Sequence, residues 1–384
     1  MSEKIFLDNA STTKIDAQVN TLIAKTNSED FYNPSAMYHE SVLIKEKIEQ
    51  AQKTIAKYLN VNPSNIIFTS GATEANNLAI LGSYTSKKNA EYIFSSGEHP
   101  SVYNVAKFLE QKGCVVKYVK LTPSGVVDIE DLKAKLSPNT HFVSIMYVSN
   151  ETGAINDLAS ISQIIKTYNS KIIFHVDGVQ AFGKLDCNLT RLNIDAFSIS
   201  AHKFHGPKGV GVLYYKNLNT LKPQILGGGQ QLNYRSGTEN VSGILGMALA
   251  CELAYENLQI NHQKVQSFRD LFIKQVEADL NDVDYQINQN SLNSPYVLSI
   301  SFKGLKSEVL MHMLEDEGVL VGTGSACSSK KQENRVLQSM GKNPDYIKGN
   351  IRISFSRMNT LEEVEKASKI FTKVVKKLKN NILG

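Results

Sequence analysis

From residue 35 onward, apolar side chains at Ile44, Ile48, Ala51, Ile55 and Leu59 recur at steps of four, three, four and four. That spacing is one face of a long helix, and Asn62-Pro63 predicts its end near Asn60. The pattern then alternates. Short apolar, β-rich runs at Ile66–Ser70, Tyr92–Ser95, Val115–Val119, Phe142–Val148, Ile172–Val176, Ala196–Ile199 and Val210–Tyr215 are interleaved with helical stretches such as Ser101–Lys112 and Leu158–Tyr168. Most runs are continuously apolar, as strands covered on both faces must be. The expected class is therefore α/β: a mixed, mostly parallel sheet flanked by helices. Gly227-Gly228-Gly229 interrupts the rhythm, a helix is predicted around Ile244–Leu258, and mixed elements follow. This divides the chain into a large domain, 15–257, and a smaller α+β domain made of 1–14 and 258–384.

Composition changes this picture little. The 384 residues exceed the usual single-core limit, which supports two domains. A net charge of +5, from 42 basic and 37 acidic side chains, is spread too thinly for a nucleic-acid surface, although it suits an anionic ligand. The densest basic cluster, Lys373, Lys376, Lys377 and Lys379, alternates with Val374, Val375 and Leu378 and reads as the wet face of a last helix. The cysteines at 114, 187, 251 and 327 lie too far apart for a metal knuckle or a CxxC pair, so reduced thiols and no metal are expected. With no apolar span or exported leader, the expected location is the cytoplasm, away from membranes.

In an open parallel sheet, ligands bind beyond the carboxyl ends of the strands, so the polar residues there carry the chemistry. Ile66 to Glu74 is a strand, a turn at Gly71 and a helix start, whose free N–H groups suit a phosphate. The same turn also serves as an ordinary connection. The next candidate run, Ile172–Val176, leads into Asp177, with Gln180 a turn later. Such an acid is either a cap or the partner of a protonated pyridine nitrogen. Ala196–Ile199 leads into Ser200-Ala-His202-Lys203-Phe-His-Gly-Pro-Lys-Gly209. Taken alone, Lys203 is a surface lysine; desolvated behind a strand, it is a Schiff-base former.

Asn33-Pro34, Glu98-His99, Asn150-Glu151, Asp177 with Gln180, Ser200 to Lys203, Arg235 to Thr238, Gly324 to Cys327 and Arg352 to Ser354 occur in one order along the chain. Together they resemble the NifS/IscS-like cysteine desulfurases of the class-V aminotransferase fold group, from Leu7-Asp8-Asn9 to beyond Arg352. The resemblance implies a pyridoxal 5'-phosphate cofactor. It makes Lys203 its covalent anchor, Asp177 the ring-nitrogen partner, Gln180 the partner of the phenolic oxygen and His99 the ring stacker and proton carrier, with Asn150 alongside. It assigns phosphate binding to Ala72, Thr73, Ser200 and His202, and to Thr238 reaching across a homodimer. It assigns the substrate carboxylate to Arg352, a planar two-donor fork, helped by Asn33.

Cys114 opens a strand, Cys187 follows a turn and Cys251 sits in the apolar helical run Leu249-Ala250-Cys251, and all three read as small residues in or near the core. Cys327 stands among Gly324, Ser325, Ser328, Ser329, Lys330 and Lys331, where two lysines favour a thiolate. The resemblance makes it the nucleophile that takes sulfur from L-cysteine, leaving alanine, and passes it to an acceptor such as an iron–sulfur scaffold or a tRNA-thiolation enzyme. The segment Ser328 to Arg335 is more charged than the family pattern, and Ser356 replaces a glycine. A selenocysteine lyase or aminotransferase of the same fold, or a silent binding module, are the competing readings.

Overall fold

The computed structural model describes residues 4–87, 89–288, 292–324 and 334–383. Among the described residues, twelve strands form three sheets. In chain order they are β1 (Ile5–Phe6), β2 (Ile66–Thr69), β3 (Glu91–Ser95), β4 (Val115–Val119), β5 (Thr140–Ser144), β6 (Ile173–Asp177), β7 (Ala196–Ser200), β8 (Gly211–Tyr215), β9 (Tyr285–Ile287), β10 (Val297–Phe302), β11 (Val319–Leu320) and β12 (Asn350–Ser354). The large sheet has the order β2-β8-β7-β6-β5-β3-β4. Only β8 runs against the rest, so the other strands present their carboxyl ends along one edge. The α/β, mostly parallel expectation holds.

The helix expected from the spacing of Ile44 to Leu59 runs His39–Leu59 and buries each of those side chains. It stops at Asn60, whose φ of 53° lies in the left-handed region that asparagine tolerates. It packs on the helix Val241–Glu256, which is apolar all round because the helix Ala17–Glu29 covers it as well. The run expected to reach Val148 is regular strand only as far as Ser144, which lies beside Phe94 and His175. Beyond that point Ile145 and Tyr147 donate to the carbonyls of His175 and Asp177. The predicted Ile244–Leu258 helix ends at Glu256, and a second helix, Leu258–Asp279, begins almost at once.

The β12-β10-β9 sheet is antiparallel. Its apolar face (Leu298, Ile300, Phe302, Ile351, Ile353) joins Phe268, Phe272, Val276 and Phe371 in a separate core, together with Ile5 and Leu7. The N-terminal segment packs on this core, with β1 parallel to β11 and Ser354 N donating to Leu7 O. Val336, Leu337, Met340 and Ile347, by contrast, join the core of the large sheet.

Candidate active site

A cavity of about 590 Å³ opens at the carboxyl edge of the large sheet. Ala72, Thr73, His99, Asn150, Asp177, Gln180, Ser200, His202, Lys203 and Arg352, all expected in the site, line it. Asn33 does not. It is exposed, and its Oδ1 accepts from Ser35 N within its own turn at 2.9 Å. Thr238 is exposed and outside the cavity of its own chain. Cys327 lies outside the described residues.

The floor follows from strand ends. Gly71 has φ +154°, next to Gly211, where a Cβ would come within 2.6 Å of the Gly71 Cα. Two glycines therefore let β2 and β8 close tightly, and the helix Ala72–Gly82 starts with its N–H groups at the cavity. Asp177, the last residue of β6, is held by Asn76 Nδ2 at 2.9 Å and Val179 N at 3.1 Å. The 3-10 turn Ala201–Lys203 carries Lys203 off β7, and its Nζ donates to the carbonyls of Ala10 and Ser11, each at 2.7 Å. Thr13 fastens this turn, with its N and Oγ1 donating to His202 O and its Oγ1 accepting from His205 N.

Burial sets the protonation states. His99, whose Nδ1 meets Ser101 Oγ at 2.8 Å at the head of the helix Pro100–Gln111, is held below its ordinary value by burial. Asp177 opposes that shift, and Lys203 reinforces it. Burial, helped by Lys203 and Lys208, pushes His202 down to about 4, so its ring is neutral at neutral pH. Burial pushes the carboxyl of Glu151 up to about 7, against the pull of Arg352 and Arg335. Behind His99, burial raises Glu98 to about 8, and Asp177 adds to the rise.

Arg352 enters from the opposite wall. Its Nη2 pairs with Asp8 Oδ1 at 2.7 Å and its Nη1 donates to Asn150 O at 3.0 Å. Its buried Nε has no hydrogen-bond partner among the described residues. Gly322 keeps this edge open, since a Cβ there would lie 2.6 Å from Asp8 Oδ1 and 2.9 Å from Arg352 Nη2.

Sequence reasoning did not assign Asn76, Asp8 or Lys184. A polar Asn76 amid the apolar positions of a helix was the available signal for the first. It also quoted Glu98, Glu151 and Arg235 without roles. Arg235 turns out to clamp Glu74 with Nε and Nη2, at 2.8 and 3.3 Å.

The set fits a pyridoxal phosphate. A lysine amine, a carboxylate fixed at a strand end, an imidazole and a glycine-turned helix N-terminus meet in one cavity. The family model "Aminotransferase class-V" matches residues 5–367. A curated relative, the cysteine desulfurase IscS of Dictyoglomus turgidum, is 38% identical over 382 residues, covering 99% of this chain and 96% of the relative. A solved NifS-like protein superposes with a TM-score of 0.92 at 34% identity, over 98% of this chain and all of its own. A solved structure of SspA in complex with cysteine gives 0.81 at 30% identity, over 92% and 99%.

Proposed function

Because the chain belongs to the class-V aminotransferase family, we propose that it is a pyridoxal-phosphate-dependent cysteine desulfurase. The observation that carries this reading is the convergence of Lys203, Asp177, His99 and Arg352 on one cavity. When bound, pyridoxal phosphate supplies an electron sink for bond breaking at the substrate. Lys203 would anchor it and exchange a proton, and Asp177 would keep its ring nitrogen protonated. Gln180 would bond its phenolic oxygen, with His99 and Asn150 against the ring. Ala72, Thr73, Ser200 and neutral His202 would receive the phosphate. A cysteine desulfurase among the relatives and a similar structure solved in complex with cysteine support L-cysteine as substrate. The Arg352 guanidinium, which lines the cavity, would take its carboxylate.

The Cys327 thiolate would attack the substrate sulfur. An S–S bond forms and the C–S bond breaks, its electron pair passing to carbon. That carbon takes a proton to leave alanine, and Cys327 is left as a persulfide for an acceptor. An iron–sulfur scaffold suits the IscS name of the relatives, and a tRNA-thiolation enzyme is the other acceptor of the same chemistry. The exposed Thr238 suits a homodimer in which it serves the neighbouring cavity. We divide the chain into 15–257, carrying the cofactor, and 1–14 with 258–384, carrying the cysteine; the separate second core supports this. Cys114, Cys187 and Cys251 form no disulfide, which suits the cytoplasm, and no described helix is long and apolar enough to cross a membrane.

The test is product analysis with L-cysteine and a thiol acceptor. Alanine formed in step with alkylatable persulfide is expected. A keto acid in place of alanine makes the protein an aminotransferase, and turnover of selenocysteine alone makes it a lyase for that substrate. A purified protein that stays colourless with pyridoxal phosphate ends the reading.

A further inference from the structure

Behind the cavity, Lys184 is buried and belongs to none of the roles above. A buried ammonium is costly unless paired, and among the described residues no carboxylate is near enough to shift it. Its Nζ donates to Gln180 Oε1 at 2.9 Å and lies 5.5 Å from the centre of the Tyr296 ring. Gln180 Nε2 in turn donates to Ala10 O at 2.9 Å. These two partners settle which way the amide points. A protonated lysine has only donors, so it must face the carbonyl oxygen, and a backbone carbonyl only accepts, so it must face the NH₂ group. One N–H of Gln180 is spent on Ala10, and the other is left for the cavity that the side chain lines.

Ala10 O is also where Lys203 Nζ donates, at 2.7 Å. A lysine that exchanges bonds during a reaction makes this contact variable, so the far end of the amide needs an anchor of its own. We propose that Lys184 is a positioning residue that holds the Gln180 amide with an N–H facing the cavity, so that it donates to the phenolic oxygen of the cofactor. The inference rests on the proposed pyridoxal phosphate. Burial lowers Lys184 to about 7, with Lys203 and Arg352 adding to the effect, and the amine can donate to Gln180 Oε1 in either protonation state.

The experiment is a double-mutant cycle on the purified full chain, with Lys184→Met, Gln180→Ala and the pair. Two quantities are read: the Kd of pyridoxal phosphate for the apoprotein, and the midpoint pH of the visible absorbance of the bound cofactor. Lys184→Met is expected to weaken binding about tenfold or more, the worth of one charge-assisted hydrogen bond, and to move the midpoint. Gln180→Ala should do the same, and the pair should fall within about twofold of either single variant. If Lys184→Met changes the melting temperature but neither readout, or if the two losses multiply, the inference fails. Should that variant not fold, Lys184→Gln keeps a donor at a shorter reach and carries the same cycle. Failure of the wild type to bind pyridoxal phosphate would instead overturn the functional reading.

Discussion

The two walls of the cavity are built on different rules. On the large sheet the chemistry begins where pairing ends: Asp177 closes β6, Lys203 follows β7 and His99 follows β3. The strands themselves are largely apolar, apart from one buried row in which His175 bridges Ser144 Oγ at 2.8 Å and Ser198 Oγ at 3.1 Å. On the β12-β10-β9 sheet the polar groups lie within the strands, because only one face meets an apolar core. Asn350, Arg352 and Ser354 alternate with Ile351 and Ile353, and Ser299 pairs in register with Arg352. Asn288 Nδ2 donates to Ser301 Oγ at 2.7 Å and to Asn350 Oδ1 at 3.1 Å, and Ser299 Oγ donates to the same oxygen at 2.7 Å. A strand-end site is carried on turns and can be re-aimed. Arg352 is instead fixed in a ladder and braced by a buried polar row.

If the walls divide the labour, with cofactor on one and substrate carboxylate on the other, substitutions should separate the two. The largest effect belongs to Lys203→Ala, which should abolish covalent fixation of pyridoxal on borohydride reduction while the protein still folds. Fixation surviving at another lysine would remove Lys203 from its role. Cys327→Ala should bind cofactor and cysteine normally yet release almost no alanine and trap no persulfide on alkylation. The same change at Cys187 or Cys251, both buried, should cost only about 1 kcal/mol of stability. Wild-type alanine production by Cys327→Ala would end its claim to the sulfur.

Arg352→Lys should weaken cysteine binding by about 1.5–3 kcal/mol, seen as KM, with the Kd of pyridoxal phosphate nearly unchanged. Equal losses for both ligands would erase the distinction between the walls. The smallest effect concerns Glu98, beneath His99. A carboxyl whose folded pKa is raised to about 8 binds its proton more tightly in the native state. Its contribution to stability is thus complete below the ordinary carboxylate value and fades as pH climbs through about 8. Melting curves from pH 5 to 9 should show Glu98→Gln gaining on the wild type as pH rises. A constant gap would mean that Glu98 is ionised throughout.

The strand-end wall was legible in the sequence for the same reason that it is simple. Apolar runs marked the strands, and the residues beyond them were the ones to inspect. The helix Leu258–Asp279 was less so, although Val265, Phe268, Phe272 and Val276 stand at steps of three, four and four. Its other positions are mostly polar and no side chain caps its start, so nothing announces it. Arg352 was found as part of a motif, but its bonds to Asp8 and Asn150 were not, because they join positions hundreds of residues apart. In the sequence Lys184 is one more lysine after a glycine, and only the fold reveals that it is buried.

The segment from Asp8 to Asp16 touches both walls: Asp8 holds Arg352, Ala10 receives Lys203 and Gln180, Thr13 ties the lysine turn and Asp16 pairs with Arg357 at 2.7 Å. The bond from Asn9 to Ser354 spans 345 positions. During synthesis this segment leaves the ribosome well before β12 does. The large sheet can pair its strands well before then, but the seam across the cavity has no second side until residue 354 emerges. Completion of the site is therefore a late, long-range closure, slow in the way that distant contacts are slow. A nascent chain halted before β12 should hold a formed sheet and an open, unsealed cavity.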